Sequence, residues 1–538
     1  MNKQVLRWNF IFQYGYVITN IINSLILLPL YLHKIDASTL GVWLATGNIL
    51  AWMTLVDPGV GDVLQQKIAE LRGRNDVKGI EKAIGSGLVA ASGILLIAVI
   101  AGFVFYFLIG AIINKDVTQY PNLQAALFIT IISTGLSLIS FSISGINQGM
   151  QNASQVAISA ILANILFLVI NILLLLMGFG IISIAFANLC RGLFINIYNF
   201  SALKILLAKE RIRIVFEKDH FKKFIRVFSF TSLASIIGGF SASMDTIVLA
   251  RFIPPFMITI FEINKRPVQL TQSLIGRHSV ALMPVVSHAA GKQDKQAITS
   301  LINIQFKYYS YLALFVASLF SFVYRDLISV WAGANKYAGN TILFLLIANF
   351  FFGLTGYFMA NMGYALGDIK RNSLVNVAKG IGVGILFYPA ARYFGITGIL
   401  TVMLAGNILA EFIYFPYRLY KLGYLQLQLI KGTLYRWAII IPAMVLVYHA
   451  LAFAAGKLAY PNQHMIRLIF SGAAGTLIFW ALPLLTDQAF RSDVVSKISS
   501  VTSRFLKKDK KEVRPASAEI ITNEIKIIQR YGKVNNTA

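Results

Sequence analysis

Arg266 and Arg277 lie in an apolar run, residues 256–287, that also carries Glu262, Lys265 and His278. On a helix turning about 100° per residue, the two arginines fall within roughly 20° of each other, three turns apart. Glu262, Gln269 and Ser273 share the stripe, and Glu262 can pair with Arg266 at i,i+4. Ionisable groups at membrane depth are expensive and normally face a cavity, a partner or a pathway. A guanidinium placed there offers a planar, bidentate match to phosphate or carboxylate. The stripe therefore predicts an anion-binding face, although charges that mark a helix end and snorkel to the headgroups would have the same composition. Lys265, about 100° off the stripe, reads as a helper or a snorkelling residue.

Other charges fall in apolar runs. Arg191 and Lys379 have no partner close in sequence and are candidates for the same cavity. Asp245 and Glu411, with Glu262, either neutralise neighbouring cations or carry a coupling ion. Asp57 and Asp62 sit at the end of the second run, where Asp57-Pro58-Gly59 predicts a turn or a kinked helix end. The balance leans positive and suits an anionic substrate such as a diphosphate. Trp43, Trp52, Phe261 and Tyr357 could stack on sugar rings, although most aromatics in such chains pack or form interface belts.

Several chemistries lack their residues. The Gly-Lys pairs at Gly291, Gly456 and Gly532 are not followed by Ser or Thr, so no phosphate-cradling loop for ATP hydrolysis is present. Cys190 is the single cysteine, and the six histidines show no metal-binding spacing. No pair of carboxylates and no Ser/His/Asp cluster claims an acid–base role. The expectation is a transporter, not an enzyme, with no metal and no cofactor beyond a proton or sodium gradient.

The elements that must position these residues are membrane helices. The chain of 538 residues is 57% hydrophobic and 13% charged, against about a quarter charged in soluble domains. About fourteen apolar spans are predicted between residues 9 and 485, an all-α polytopic architecture. The net charge of +26 would suggest nucleic acid in a soluble protein. Here it collects in loops on one side, at 67–82, 204–226 and 418–436, and after residue 487. That bias sets both termini in the cytoplasm and implies contact with anionic membrane lipid, not nucleic acid.

The chain also repeats itself. Gly73, Asp76 and Ile80 recur 218 residues later as Gly291, Asp294 and Ile298, and at that offset Gly145 meets Gly363 and Gly149 meets Gly367. Phe179-Gly180-Ile181 recurs as Phe394-Gly395-Ile396. Two six-helix lobes in the same orientation follow, related by a pseudo-two-fold axis along the membrane normal, with the substrate expected between them. The lobes are assigned to 1–208 and 226–423, joined by a basic linker at 209–225. Two extra helices occupy 424–486, and a basic tail, 487–538, contains an amphipathic helix with Phe490, Val494, Ile498, Val501 and Phe505 on one face. The linker is expected to lie on the membrane surface in the same way.

The segment Leu55-Val56-Asp57-Pro58-Gly59-Val60-Gly61-Asp62, continued by Gly73-Arg74-Asn75-Asp76, resembles the end of span 2 in bacterial polysaccharide flippases. These are the Wzx-like O-antigen and capsule flippases of the multidrug/oligosaccharidyl-lipid/polysaccharide (MOP) exporter superfamily. The resemblance covers spans 1–12; Pro58 departs from it, since relatives often carry an aliphatic residue there. It implies a protein of the bacterial inner membrane that turns an undecaprenyl-diphosphate-linked oligosaccharide from the inner to the outer leaflet. A polysaccharide polymerase and chain-length proteins would be its partners. By that analogy Arg266 and Arg277 anchor the diphosphate, helped by Arg191 and Lys379. A lipid II flippase or a drug/cation antiporter of the same superfamily is the alternative. Asn20 and Asn23, the inward polar candidates of span 1, replace the carboxylate that such antiporters use. A membrane-bound glycan polymerase or ligase is the alternative from another class.

Overall fold

The computed structural model of the chain describes residues 3–53, 60–219, 221–222, 244–291, 293–456, 463–486, 488 and 491–492. Among them the regular structure is entirely helical, and the chain is a multi-pass membrane protein whose helices account for every expected span but the seventh. Of that span only 244–250 is described, and it is helical. The tail beyond 492, with its expected amphipathic helix, and Asp57 lie outside the described residues, as does the side chain of Asp62.

The first lobe contains α1 (Lys3–Lys34), α2 (Ala37–Met53), α3 (Val60–Gly73), α4 (Val77–Ile113), α5 (Leu123–Gly149), α6 (Ala153–Leu176) and α7 (Ile181–Glu210). The second contains α8 (Pro255–Gly291), α9 (Lys295–Trp331), α10 (Asn340–Ala365) and α11 (Ile369–Gly406), which runs on through a π-helical segment, Asn407–Tyr414, into α12 (Phe415–Lys421). α13 (Leu427–Gly456) and α14 (Gln463–Thr486) follow. The chain forms two compact units, Met1–Gly472 and Ala473–Ala538; in the second, Phe479 and Trp480 meet edge to face near the end of α14.

The duplication is written in the backbone. Asp76 caps α4 by accepting from the Gly79 amide, and Asp294 caps α9 by accepting from the Ala297 amide. Just before these caps, Asn75 and Gln293 take φ of 55° and 56°. A carboxylate at the N-cap satisfies amides that the first helical turn leaves open. Gly180 (φ 56°, ψ −130°) and Gly395 (φ 55°, ψ −133°) repeat one turn geometry, which is open only to glycine. Gly395 thus divides α11 into the expected spans 11 and 12. The glycine matches after α5 and α10 need a correction. The Asn152 amide donates to the Asn147 carbonyl and the Asp368 amide to the Gly363 carbonyl. The repeat there runs at an offset of 216, two residues out of register with the Gly145/Gly363 and Gly149/Gly367 pairs.

The two lobes close on each other at the end of the bundle where α1 gives way to α2. Thr259 donates to the Ala37 carbonyl at 2.6 Å, and Arg251 donates to the carbonyls of Ala111 and Ile112. Ile247, Ala250 and Ile258 share one apolar core with Leu40, Ile109 and Ile113. α2 and α8 approach so closely that a Cβ on Gly41 would stand 1.9 Å from the Pro255 carbonyl oxygen, so glycine is required there. Asn23, an inward polar candidate of span 1, is buried against α6, donating to the Asn164 carbonyl.

The linker corrects another expectation. Residues 212–217 are not helical and are tied to α4, while 218–219 and 221–222 are helical. Val215 donates to the Glu81 carbonyl, the Arg213 amide to the Glu81 carboxylate, and Lys82 pairs with Glu217 at 2.7 Å. The Glu217 carboxylate raises the Lys82 ammonium above its ordinary pKa. Gly85 admits the strap: a Cβ there would meet the Val215 carbonyl at 2.2 Å.

Candidate functional site

The charged residues fall into three groups. The first is a cavity of about 480 Å³ on the first lobe, into which Arg191 of α7 and Arg277 of α8 both project. Its remaining polar lining is neutral: Gln65 of α3, Ser137, Ser140, Ser144 and Gln148 of α5, Ser159 of α6, and Asn199 of α7. No aspartate or glutamate lines it among the described residues. Arg191 also lies over the Phe167 ring, 5.9 Å from its centre. Two guanidinium groups among hydroxyls and carboxamides make a donor-rich pocket suited to a multiply charged oxyanion. The serines were not among the expected site residues, yet a signal existed. Ser133, Ser137, Ser140 and Ser144 are spaced four, three and four, a polar stripe on an otherwise apolar span.

The second group is a cavity of about 640 Å³ in the second lobe, lined by Asp245, Lys265, Gln269, Tyr357, Lys379 and Glu411 among others. Lys379 bonds to Glu411 Oε1 at 2.8 Å, so its charge is matched where it was expected to serve a substrate anion. Glu411 Oε2 is buried without a hydrogen-bond partner among the described residues. Glu411 and Asn407 belong to the π-helical segment, whose wider turn is a feature often found at functional sites. Asn407 donates to Asn349 on α10, and Asn349 donates to the Leu345 and Leu400 carbonyls. α10 reaches this segment through Gly356, where a Cβ would lie 2.0 Å from Glu411 Cβ. Gly356→Ala should force the helices apart and cost about 1–3 kcal/mol, as overpacking does. A thermal midpoint of the solubilised protein equal to that of the parent would refute this close approach.

The third group adjoins the second and overturns the assignment of Lys265. It does not snorkel. Lys265 is buried, binds Asp245 Oδ2 at 2.5 Å and Glu262 Oε1 at 3.3 Å, and sits over the Phe261 ring. Thr246 donates to Glu262 at 2.6 Å and its amide to Asp245 at 2.8 Å. Glu262 therefore pairs three residues on, with Lys265, and not four residues on, with Arg266. Within this second cavity and the adjoining group Asp245, Glu262 and Glu411 are matched against Lys265 and Lys379, so among the described residues the unmatched positive charge of α8 rests on Arg266 and Arg277.

Arg266 stands apart from both cavities. It is exposed and donates to Ser24 of α1 at 3.0 Å, across the lobe interface. The arginine stripe thus faces the first lobe along α8: Arg266 meets α1, and about 16 Å of helix rise further on Arg277 enters the serine-lined cavity. The aromatics divide as well. Tyr357 lines the second cavity and is 42% exposed, whereas Trp43 and Phe261 are core residues. The side chain of Trp52 lies outside the described residues.

The sequence profile of a family described as "Polysaccharide biosynthesis protein" matches residues 9–290. Comparison with curated protein sequences gives no match. Among solved structures, the chain is similar to the lipid II flippase MurJ in an inward closed conformation, with a TM-score of 0.64, 16% identity, and coverage of 88% of this chain and 98% of that one. It is also similar to an inward-facing multidrug resistance MATE family transporter of the MOP superfamily, with a TM-score of 0.62, 15% identity, and coverage of 76% and 95%. A MOP superfamily transporter from Pyrococcus furiosus matches with a TM-score of 0.53, 15% identity, and coverage of 77% and 94%. At these identities the likeness establishes a shared fold.

Proposed function

The chain belongs to the polysaccharide biosynthesis protein family, whose fold is that of the MOP-type flippases, and from that premise we propose that it carries an undecaprenyl-diphosphate-linked oligosaccharide from the cytoplasmic to the outer leaflet of the inner membrane. The observation that carries this reading is the cavity shared by Arg191 and Arg277, which no acid lines among the described residues. One arginine belongs to each lobe. A diphosphate held between them is gripped only while the lobes stand in this relation, so rocking the lobes changes its binding. This is the property alternating access needs.

With the basic loops in the cytoplasm, the end where α1 meets α2 faces outward. The Ala37–Thr259 and Gly41–Pro255 contacts are then the outer gate, and the protein stands closed to the outside. A cleavable thiol cross-linker joining Ala37→Cys to Thr259→Cys, with Cys190 replaced by alanine, should hold that gate shut. Transport should fall to background and return on reduction; cross-linked protein that still transports would refute the gate.

Among the three acids assigned to ion coupling, Glu411 fits best. Asp245 and Glu262 are engaged by Lys265 and Thr246, whereas Glu411 keeps an oxygen with no partner among the described residues, beside a cavity. The transported headgroup is delivered to whichever polymerase and chain-length proteins act outside.

The decisive experiment locates the intermediate. Depleting the protein should leave lipid-linked single units on the inner leaflet, shielded from a membrane-impermeant label. Their build-up on the outer leaflet would instead assign a later step, polymerisation or ligation, and sink the flippase reading.

A further inference from the structure

α6 and α7 are joined by a tight hairpin through Gly178 and Gly180, with φ of 88° and 56°. Away from that hairpin an outward groove of about 600 Å³ lies between the start of α6 and the far half of α7. Its floor is apolar, with Phe194, Ile197 and Ile205, and Ile197 and Ile205 are 66% and 71% exposed. Asn152 and Lys209 stand at its polar end, beyond the apolar part of the helices.

The inner side of the same helix pair is the wall of the arginine cavity, through Val156 and Ala157 of α6 and Ile195 and Asn199 of α7. Two hydrogen bonds close the seam between groove and cavity: Tyr198 donates to Gln155 Oε1 at 2.7 Å, and Ser159 donates to Asn199 Oδ1 at 2.9 Å. Both join neutral groups, the weaker class of hydrogen bond, and all four side chains could re-pair with a phosphate oxygen or a sugar hydroxyl.

We infer that the α6–α7 seam is a lateral opening, and that the outward groove seats the isoprenoid chain of the substrate while its diphosphate occupies the Arg191–Arg277 cavity. The inference rests on the flippase reading and extends it to the lipid half of the substrate. The two halves of such a molecule want opposite media. Every methylene drawn out of lipid into a polar cavity is unfavourable, and a diphosphate left in lipid is more so. The two halves are joined by one phosphoester, so the chain must pass through the cavity wall wherever that wall is thin and can part. The α6–α7 seam has an apolar, exposed groove on one side and the paired arginines on the other. Lys209 at the polar end is placed for the headgroup side of the leaflet, where a positive charge favours an anionic lipid.

The test places the photoreactive residue p-benzoylphenylalanine at Ile197, with Ile97 on α4, 56% exposed, as the control position. Irradiation of cells making the glycan should yield an adduct carrying polyprenyl diphosphate at Ile197, several-fold above Ile97. Phospholipid adducts alone, in equal amounts at both positions, would overturn the groove assignment. In the same Cys190→Ala background, a cleavable cross-link between Gln155→Cys and Tyr198→Cys should abolish transport until reduced, while inorganic pyrophosphate still binds the purified protein. Transport by the cross-linked protein would overturn the lateral opening and leave the flippase reading standing. Failure of the uncross-linked parent to bind pyrophosphate would fell that reading and the inference with it.

Discussion

Arg191→Ala combined with Arg277→Ala should abolish surface-glycan export at an unchanged level of membrane-inserted protein. A hydrogen bond to a charged group is worth about 1.5–3 kcal/mol, so removing two guanidinium partners should weaken pyrophosphate binding by about two to four orders of magnitude. The fold should tolerate the change, because among the described residues no acid lines the cavity to be left unpaired, and Arg277 is exposed. The Arg191→Lys, Arg277→Lys pair sharpens the test. It keeps both charges and loses the planar fork, so it should bind pyrophosphate at an intermediate level. Arg266→Ala is the internal comparison. That residue bonds to Ser24 outside both cavities, and its loss should leave pyrophosphate affinity within a few-fold of the parent. Normal export by the alanine pair, or a larger loss of affinity from Arg266→Ala, would remove the anion site from this cavity.

How far the sequence could be read is visible in the same residues. The spans, the two-lobe repeat and the paired caps Asp76 and Asp294 were legible because hydrophobic runs and N-cap chemistry act locally. The stripe holding Arg266 and Arg277 was legible for the same reason, as helix geometry alone fixes it. Which cation meets which anion was not. Glu262 had Lys265 and Arg266 within reach on its own helix, and the choice fell to Lys265 because Asp245, on another segment, faces it. Arg191 and Arg277 meet only because two lobes dock, a relation that no spacing along the chain encodes. The offset of 216 after α5 shows the same limit in miniature. Glycines common in apolar helices matched by composition at 218, while the hydrogen-bonded turn sat two residues away. The π-helical segment around Glu411 left no mark in the sequence; its neighbours there, Gly356 and Asn349, come from another helix.

Lys265→Met should be among the most destabilising single changes in the chain. Asp245 is 1% exposed, and Glu262 lies beside the same ammonium; without it two carboxylates face each other in a desolvated site. Breaking a buried pair from one side typically costs about 3–5 kcal/mol, a large share of the roughly 5–15 kcal/mol that holds a protein folded. The expected result is little full-length protein in the membrane and a lowered thermal midpoint in detergent. Neutralising the whole group, with Asp245→Asn, Glu262→Gln and Lys265→Met together, should recover most of that loss. It removes every buried charge and leaves Thr246 with hydrogen-bonding partners. The triple variant also decides what the group is for. If the triad is scaffold, the recovered protein exports glycan, because Arg191, Arg277 and Glu411 are untouched. A stable triple variant that binds pyrophosphate and exports nothing would transfer the coupling role from Glu411 to this triad. Lys379→Met gives the contrast. Its side chain is 22% exposed and Glu411 is 8% exposed against 1% for Asp245, so stranding Glu411 should cost less than stranding Asp245. A Lys379→Met midpoint as low as that of Lys265→Met would contradict this ranking of the two sites.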